Sequence, residues 1–185
     1  MKSNTTANKP IVFIDIDGVL NPFAEPRFLK PFGFKRHRIL DDESNNKYTM
    51  WLNPQHKDWL MSLTDIADLA WATTWNKQAN SKIGWRIGLP EFPVAEVTIV
   101  THDAAGQKLK NPVWWKAQGI IDLAQDRKFI WIDDDHDQCM ATGNSEREYF
   151  QIACKNDYAL IHVPGFHGLQ PHHINDIRKI IELWK

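Results

Sequence analysis

Asp15 and Asp17 stand one residue apart in the stretch PIVFIDIDGVLNPF, at the end of an apolar run and just before Gly18. Two carboxylates held this close repel, and such an arrangement persists when a cation, a shared proton or a turn separates the charges. A solvated Asp-Gly turn is the plain alternative. An EF-hand calcium loop is excluded, because it needs further oxygen ligands and a distal Glu, and Leu20, Pro22 and Phe23 supply none. Three later stretches carry related chemistry. DLAWATTWN ends an apolar run on Thr73 and Thr74, GQKLKNPVWW carries Lys108 and Lys110, and FIWIDDDHD ends on Asp133, Asp134 and Asp135. Carboxylates that hold a hard cation, hydroxyl and ammonium donors that hold an anion, and a spare carboxylate as nucleophile together suit phosphoryl transfer.

These residues can act together only if the chain delivers them to one place. Ile11 to Ile14 reads as a buried strand, and further short apolar runs lie at Leu69 to Ala72, Val97 to Val100, Phe129 to Ile132 and Ala159 to Val163. Helical spacing separates them. Asn53 and Pro54 open one helix carrying Trp59, Leu60, Leu63, Ile66 and Ala67. Val113, Trp114, Ala117, Ile120, Ile121 and Ala124 predict a second after Pro112, and Ser145 with Glu148 has capping-box spacing ahead of a third. Ile174, Ile177, Ile181 and Trp184 predict a last amphipathic helix. Such alternation predicts a mainly parallel sheet of about five strands with helices on both faces, and such sheets bind ligands at their strands' carboxyl ends. Residues 21–52 interrupt the alternation, and Phe34 to Leu40 and Lys47 to Leu52 predict a β-hairpin inserted after the first strand.

The ordered set resembles the haloacid dehalogenase-like (HAD) phosphohydrolases. Asp15, Ile16, Asp17, Gly18, Val19 and Leu20 match their first motif; Thr73 matches the second, with Thr74 as the other register; Lys110 before Pro112 matches the third, with Lys108 as the fallback; Asp133 and Asp134 match the fourth. The resemblance runs from about Ile11 to the end of the chain and is closest to small members with a minimal cap. It implies a Rossmann-like three-layer α/β/α sandwich in a single domain spanning residues 1–185, with residues 21–52 as hairpin cap. It also implies a Mg2+-dependent phosphomonoesterase. Asp15 is then the nucleophile that becomes an aspartyl-phosphate, and Asp17 the general acid and base. Mg2+ is held by Asp15, the backbone carbonyl of Asp17 and Asp133, with Asp134 aiding. Thr73, Thr74 and Lys110 bind phosphoryl oxygens, and Gly18 lets the chain turn close beneath the phosphate.

Composition sets the remaining expectations. The 185 residues suit one domain, and the polar Met1 to Lys9 is expected to be flexible. A net charge of -1 argues against a global basic field, although Arg27, Lys30, Lys35, Arg36, His37 and Arg38 form a local patch. Two cysteines, Cys139 and Cys154, are too few for a disulfide scaffold, and no apolar run reaches membrane-spanning length. A cytoplasmic protein is expected. The histidines show no zinc spacing, and tandem His172 and His173 are expected to face solvent. The substrate is expected to be a phosphorylated small molecule or nucleotide, or a nucleic-acid end. The competing reading is a non-catalytic nucleic-acid- or protein-binding module that uses the basic hairpin.

Overall fold

The computed structural model describes residues 9–102, 106–137 and 145–185. Cys139 and most of the segment from Met1 to Lys9 fall outside these residues; Lys9 donates to the Thr64 carbonyl at 2.9 Å. The apolar opening run forms β1 (Ile11–Ile14), followed by a short helix α1 (Pro26–Leu29) and the antiparallel hairpin β2 (Lys35–Leu40) and β3 (Lys47–Leu52). Helix α2 (Gln55–Met61) leads into β4 (Asp68–Trp71). After an irregular helical segment come β5 (Thr98–His102), β6 (Lys108–Trp115) and α3 (Ala117–Ala124). The chain closes with β7 (Phe129–Asp133), α4 (Glu146–Ala153), β8 (Tyr158–His162) and α5 (Pro171–Leu183).

Four strands form a parallel sheet in the order β4-β1-β7-β8, so β1 is central and its backbone is bonded on both sides. Alternation along the strands divides the core into two layers. Val12 and Ile14 pack with Leu69, Trp71, Ile130 and Ile132 beneath α2, α5 and the β2-β3 hairpin. Ile11 and Phe13 face the other way, toward Ala117 and Ile120 of α3 and Phe150 of α4. With helices on both faces, this is a Rossmann-like α/β fold.

Several expectations differ from the structure. The run Val97 to Val100 does not add a fifth strand to the sheet. It becomes β5 and pairs antiparallel with β6, matching Thr98 to Trp115 and Ile99 to Trp114. A local antiparallel partner needs only a short connection, whereas a parallel one needs a long crossover. The same pairing overturns the expected helix after Pro112. Val113 to Trp115 are β-branched and aromatic residues that favour a strand once a partner is present, so α3 begins only at Ala117. The predicted caps fare differently. Asn53 Oδ1 accepts from Gln55 N at 3.0 Å, and Ser145 with Glu148 forms a reciprocal capping box on α4. The helix opened by Asn53 nevertheless stops at Met61, although Leu63 and Ala67 still reach the core. His173 is buried, contrary to expectation, because its Nδ1 accepts from Gln170 N at 3.0 Å at the start of α5. Among the described residues, no helix is long and apolar enough to cross a membrane.

Candidate active site

The parallel register brings the carboxyl ends of β1, β4 and β7 level, since Ile14 pairs with both Trp71 and Ile132. Asp15 therefore leaves β1 beside Asp133, and its N–H donates to the Ile132 carbonyl at 3.1 Å. Both carboxylates are buried, as is Thr73 just beyond β4. Oxygens of Asp15, Asp133 and Asp134 lie within 4.8 Å of one another. A turn after Ile16 then carries the chain away, with Leu20 and Asn21 N–H groups both donating to the Ile16 carbonyl at 2.8 Å. Gly18 sits in this turn at φ 75°, where a Cβ would lie 2.3 Å from the Asp134 carboxyl carbon. Only glycine allows the acidic cluster to close over the turn.

Lys116 is the cation that compensates this cluster. It lies in the one-residue step between β6 and α3, and its buried Nζ is 3.1 Å from Asp15 Oδ2 and 2.7 Å from Asp133 Oδ2. Its backbone is fixed by Glu146, a buried carboxylate at the start of α4, whose Oε1 accepts from Lys116 N at 2.5 Å and Ala117 N at 3.1 Å. An acid at the start of α4 thus caps the N-terminus of the preceding helix α3 and aims the lysine.

Burial dominates the electrostatics. Desolvation, aided by the charges of Asp133 and Asp17 and opposed by Lys116, pushes the Asp15 carboxyl up to about 7. Desolvation together with Asp15 raises Asp134 to about 6, and desolvation raises Asp133 despite its contact with Lys116. Burial by itself would lower the Lys116 ammonium, but Asp15 and Asp133 hold it above its ordinary value, so it stays charged. The donor set fits a hard divalent cation: three carboxylates converge on one point, and burial together with their mutual charge holds Asp15 and Asp134 above the ordinary carboxylate range despite Lys116.

Asp17 faces a different environment. Its Oδ1 accepts from Asn21 Nδ2 at 2.8 Å and its Oδ2 from Trp75 Nε1 at 2.9 Å. Asn21 Oδ1 in turn accepts from Trp51 N at 2.9 Å, and the Tyr48 ring meets Trp75 edge-on at 5.6 Å, so the hairpin buttresses Asp17 from two directions. A cleft of about 320 Å³ opens here, lined by Asp17, Asp41, Tyr48, Thr74, Trp75 and Gln78.

The structure therefore brings together Asp15, Asp133 and Asp134, with Asp17 and Thr73 on the same rim and Thr74 in the cleft. Thr73 Oγ1 accepts a long bond from Trp75 N at 3.4 Å. Lys108 is exposed opposite His102, and the backbone of Lys110 lies in mid-strand. At about 3.3 Å per residue, Lys110 sits roughly 16 Å along the strand from Trp115. Lys116, Trp75, Asn21 and Glu146 did not emerge from the sequence. The signal for Lys116 was its place directly before Ala117, visible only once Val113 to Trp115 are read as a strand.

Residues 11–162 match the model of a family described as the HAD domain in Swiss Army Knife RNA repair proteins. No curated protein and no solved structure matches the chain.

Proposed function

This chain belongs to the family of HAD domains in Swiss Army Knife RNA repair proteins, and from that membership and the site geometry we infer a Mg2+-dependent phosphohydrolase acting on a phosphomonoester. The observation that carries the reading is the buried Lys116 ammonium shared by Asp15 and Asp133 beside Asp134, with Asp17 one residue from the nucleophile. Asp15, Asp133 and Asp134, with the Asp17 carbonyl, would hold Mg2+, which when bound neutralises charge on the transferring phosphoryl group.

The chain's own residues supply the rest. An Asp15 oxygen attacks phosphorus while the bond from phosphorus to the ester oxygen breaks, and Asp17 gives that leaving oxygen its proton. Asp17 then takes a proton from a water whose oxygen attacks the aspartyl-phosphate, releasing phosphate and restoring Asp15. Lys116 takes the role expected of Lys110: it keeps Asp15 ionised and oriented and offsets its repulsion from an anionic substrate. Thr73 donates its hydroxyl proton to a phosphoryl oxygen, and Thr74 lines the leaving-group side. Asn21 and Trp75 hold Asp17 in place, turned toward the cleft where the leaving group sits.

A nucleotide or nucleic-acid end phosphate is the substrate class that best suits an open cleft walled by Tyr48 and Trp75, and the family's description points the same way. A cytoplasmic setting fits this substrate. The test is hydrolysis of a generic aryl phosphate. Turnover is expected with Mg2+, to vanish with chelator, and to fall by at least ~10³-fold in folded Asp15→Asn protein. Turnover that survives this substitution would remove Asp15 from the mechanism.

A further inference from the structure

Beside the acidic rim lies an aromatic and cationic surface that the chemistry does not use. Between Asn21 and Leu40 the chain carries five lysines and arginines against one acidic residue, Glu25, together with four phenylalanines. Leu29 and Phe34 turn inward against Ala24 and Trp51, but Phe23, Phe28 and Phe32 are 62%, 46% and 72% exposed. Phe166, after β8, is 50% exposed and meets Phe28 with ring centroids 5.9 Å apart. Phe28, Phe32 and Phe166 wall a groove of about 470 Å³, and Phe23 stands next in the chain to Ala24, which also lines it.

This groove adjoins the catalytic rim. Phe23 N donates to the Gly165 carbonyl at 2.8 Å. A Cβ on Gly165 would lie 2.8 Å from Asp134 Oδ2 and 3.0 Å from Phe23, so the Phe23 ring stands within about 6 Å of the acidic cluster.

Cations follow the same path. The Arg27 guanidinium lies 4.8 Å over the Phe28 ring, and Lys30 Nζ is 5.9 Å from the Trp51 ring. Strand alternation puts Arg36 and Arg38 on the face of the hairpin opposite Ile39, Met50 and Leu52, cross-paired with Trp51 and Thr49. Neither arginine has an ion-pair partner among the described residues. Thr49 also lines the cleft with Asp17, so the basic face runs into the site. On the cleft's other side the acidic residues Asp41 and Glu43 disfavour a polyanion and leave the arginine face as its exit.

We propose that this surface binds the unpaired nucleotides of a single-stranded nucleic acid whose terminal phosphate enters at Asp15. Bases stack on Phe23, Phe28, Phe32 and Phe166, and backbone phosphates meet Lys30, Arg36 and Arg38. The proposal rests on the phosphohydrolase reading for its direction but not for its chemistry. Arg27 pairs with Glu25 at 3.2 Å, but exposed aromatics beside Lys30, Arg36 and Arg38, which have no ion-pair partner among the described residues, match a ligand that offers ring faces and regular negative charge. A second copy of this chain would bring the same positive charge to the patch and be repelled.

The test measures binding of a short, labelled, 3′- or 5′-phosphorylated single-stranded RNA to the full chain carrying Asp15→Asn, so that turnover does not intervene. Phe28→Ala with Phe166→Ala is expected to weaken binding on the order of tenfold or more, with only a few degrees lost in melting temperature because about half of each ring is exposed. Arg36→Ala with Arg38→Ala should flatten the salt dependence by about 1.4 in log–log slope, for two lost phosphate contacts. RNA affinity indifferent to both pairs of substitutions overturns the proposal. So does a phenylalanine-dependent dimer in sedimentation with RNA affinity intact, which would assign the patch to a second copy. Phenylalanine-dependent RNA binding in a protein whose native form hydrolyses no phosphate would uphold the surface and remove the phosphohydrolase reading instead.

Discussion

Lys116 shares one ammonium between two buried carboxylates, and its removal leaves Asp15 and Asp133 facing each other without compensation. Breaking such a buried network costs about 3–5 kcal/mol of stability, and losing a preorganised cation beside the reacting phosphoryl costs about 10²–10³-fold in turnover. Lys116→Ala is expected to show both in a urea melt and in aryl phosphate hydrolysis, with stability partly recovered by Mg2+. Lys110→Ala is expected to change stability by no more than about 0.5 kcal/mol and to leave turnover nearly intact. The reverse pattern would return the role to Lys110. Asp15, Asp133 and Asp134 were legible because each ends a short apolar run, a local signal that survives folding unchanged. Lys116 was not, because Val113, Trp114 and Trp115 are apolar in both a helical and a strand reading.

Glu146 shows how one element positions another. Its carboxylate spans from the start of α4 to the first amides of α3, and those two hydrogen bonds set where Lys116 leaves the backbone. Burial pushes this carboxyl up to about 7, with the Lys116 and Ala117 amides opposing. Glu146→Ala leaves both amides unpaired and is expected to cost about 2–3 kcal/mol with a fall in kcat, while Glu146→Gln, which keeps an acceptor, should recover most of the stability. Equal damage from both substitutions would mean that the charge, rather than the cap, is what matters. The four sheet strands, the β2-β3 hairpin and the α4 capping box were legible because each carries its own signal in consecutive residues. The β5-β6 pairing was not, because it depends on which of two partners a neutral apolar run selects.

Across the whole molecule, helices on both faces of the sheet bury groups that titrate above pH 4. His56 is fully buried among Phe34 and Trp59, and desolvation lowers it from 6.5 to about 4. The folded state therefore binds its proton less readily than the unfolded state. Stability from this group is complete above pH 6.5 and is lost as pH falls toward 4, in total about 3 kcal/mol. Because the raised Asp15, Asp134 and Glu146 carboxyls change stability in the opposite sense over this range, the His56 contribution is read as a difference. The stability of His56→Leu should rise relative to the wild type as pH falls from 6.5 to 4. A difference that does not change with pH would shift the burden to His136 and His173, which burial lowers in the same direction. The two-layer core was legible from the unbroken apolar run of β1 and the alternation of strands with helices, whereas the meeting of hairpin and rim through Asn21 was not, because that polar asparagine carries no periodic signal.

The division of labour between Asp15 and Asp17 can be read in one measurement. With an aryl phosphate, whose leaving group needs no proton, Asp17→Asn should permit attack by Asp15 but stall hydrolysis of the intermediate. Mass spectrometry of rapidly quenched Asp17→Asn protein with Mg2+ is expected to find one phosphoryl group on the peptide carrying Asp15. Substrate consumption with that peptide unmodified, or with the phosphoryl group on another residue, would contradict the mechanism.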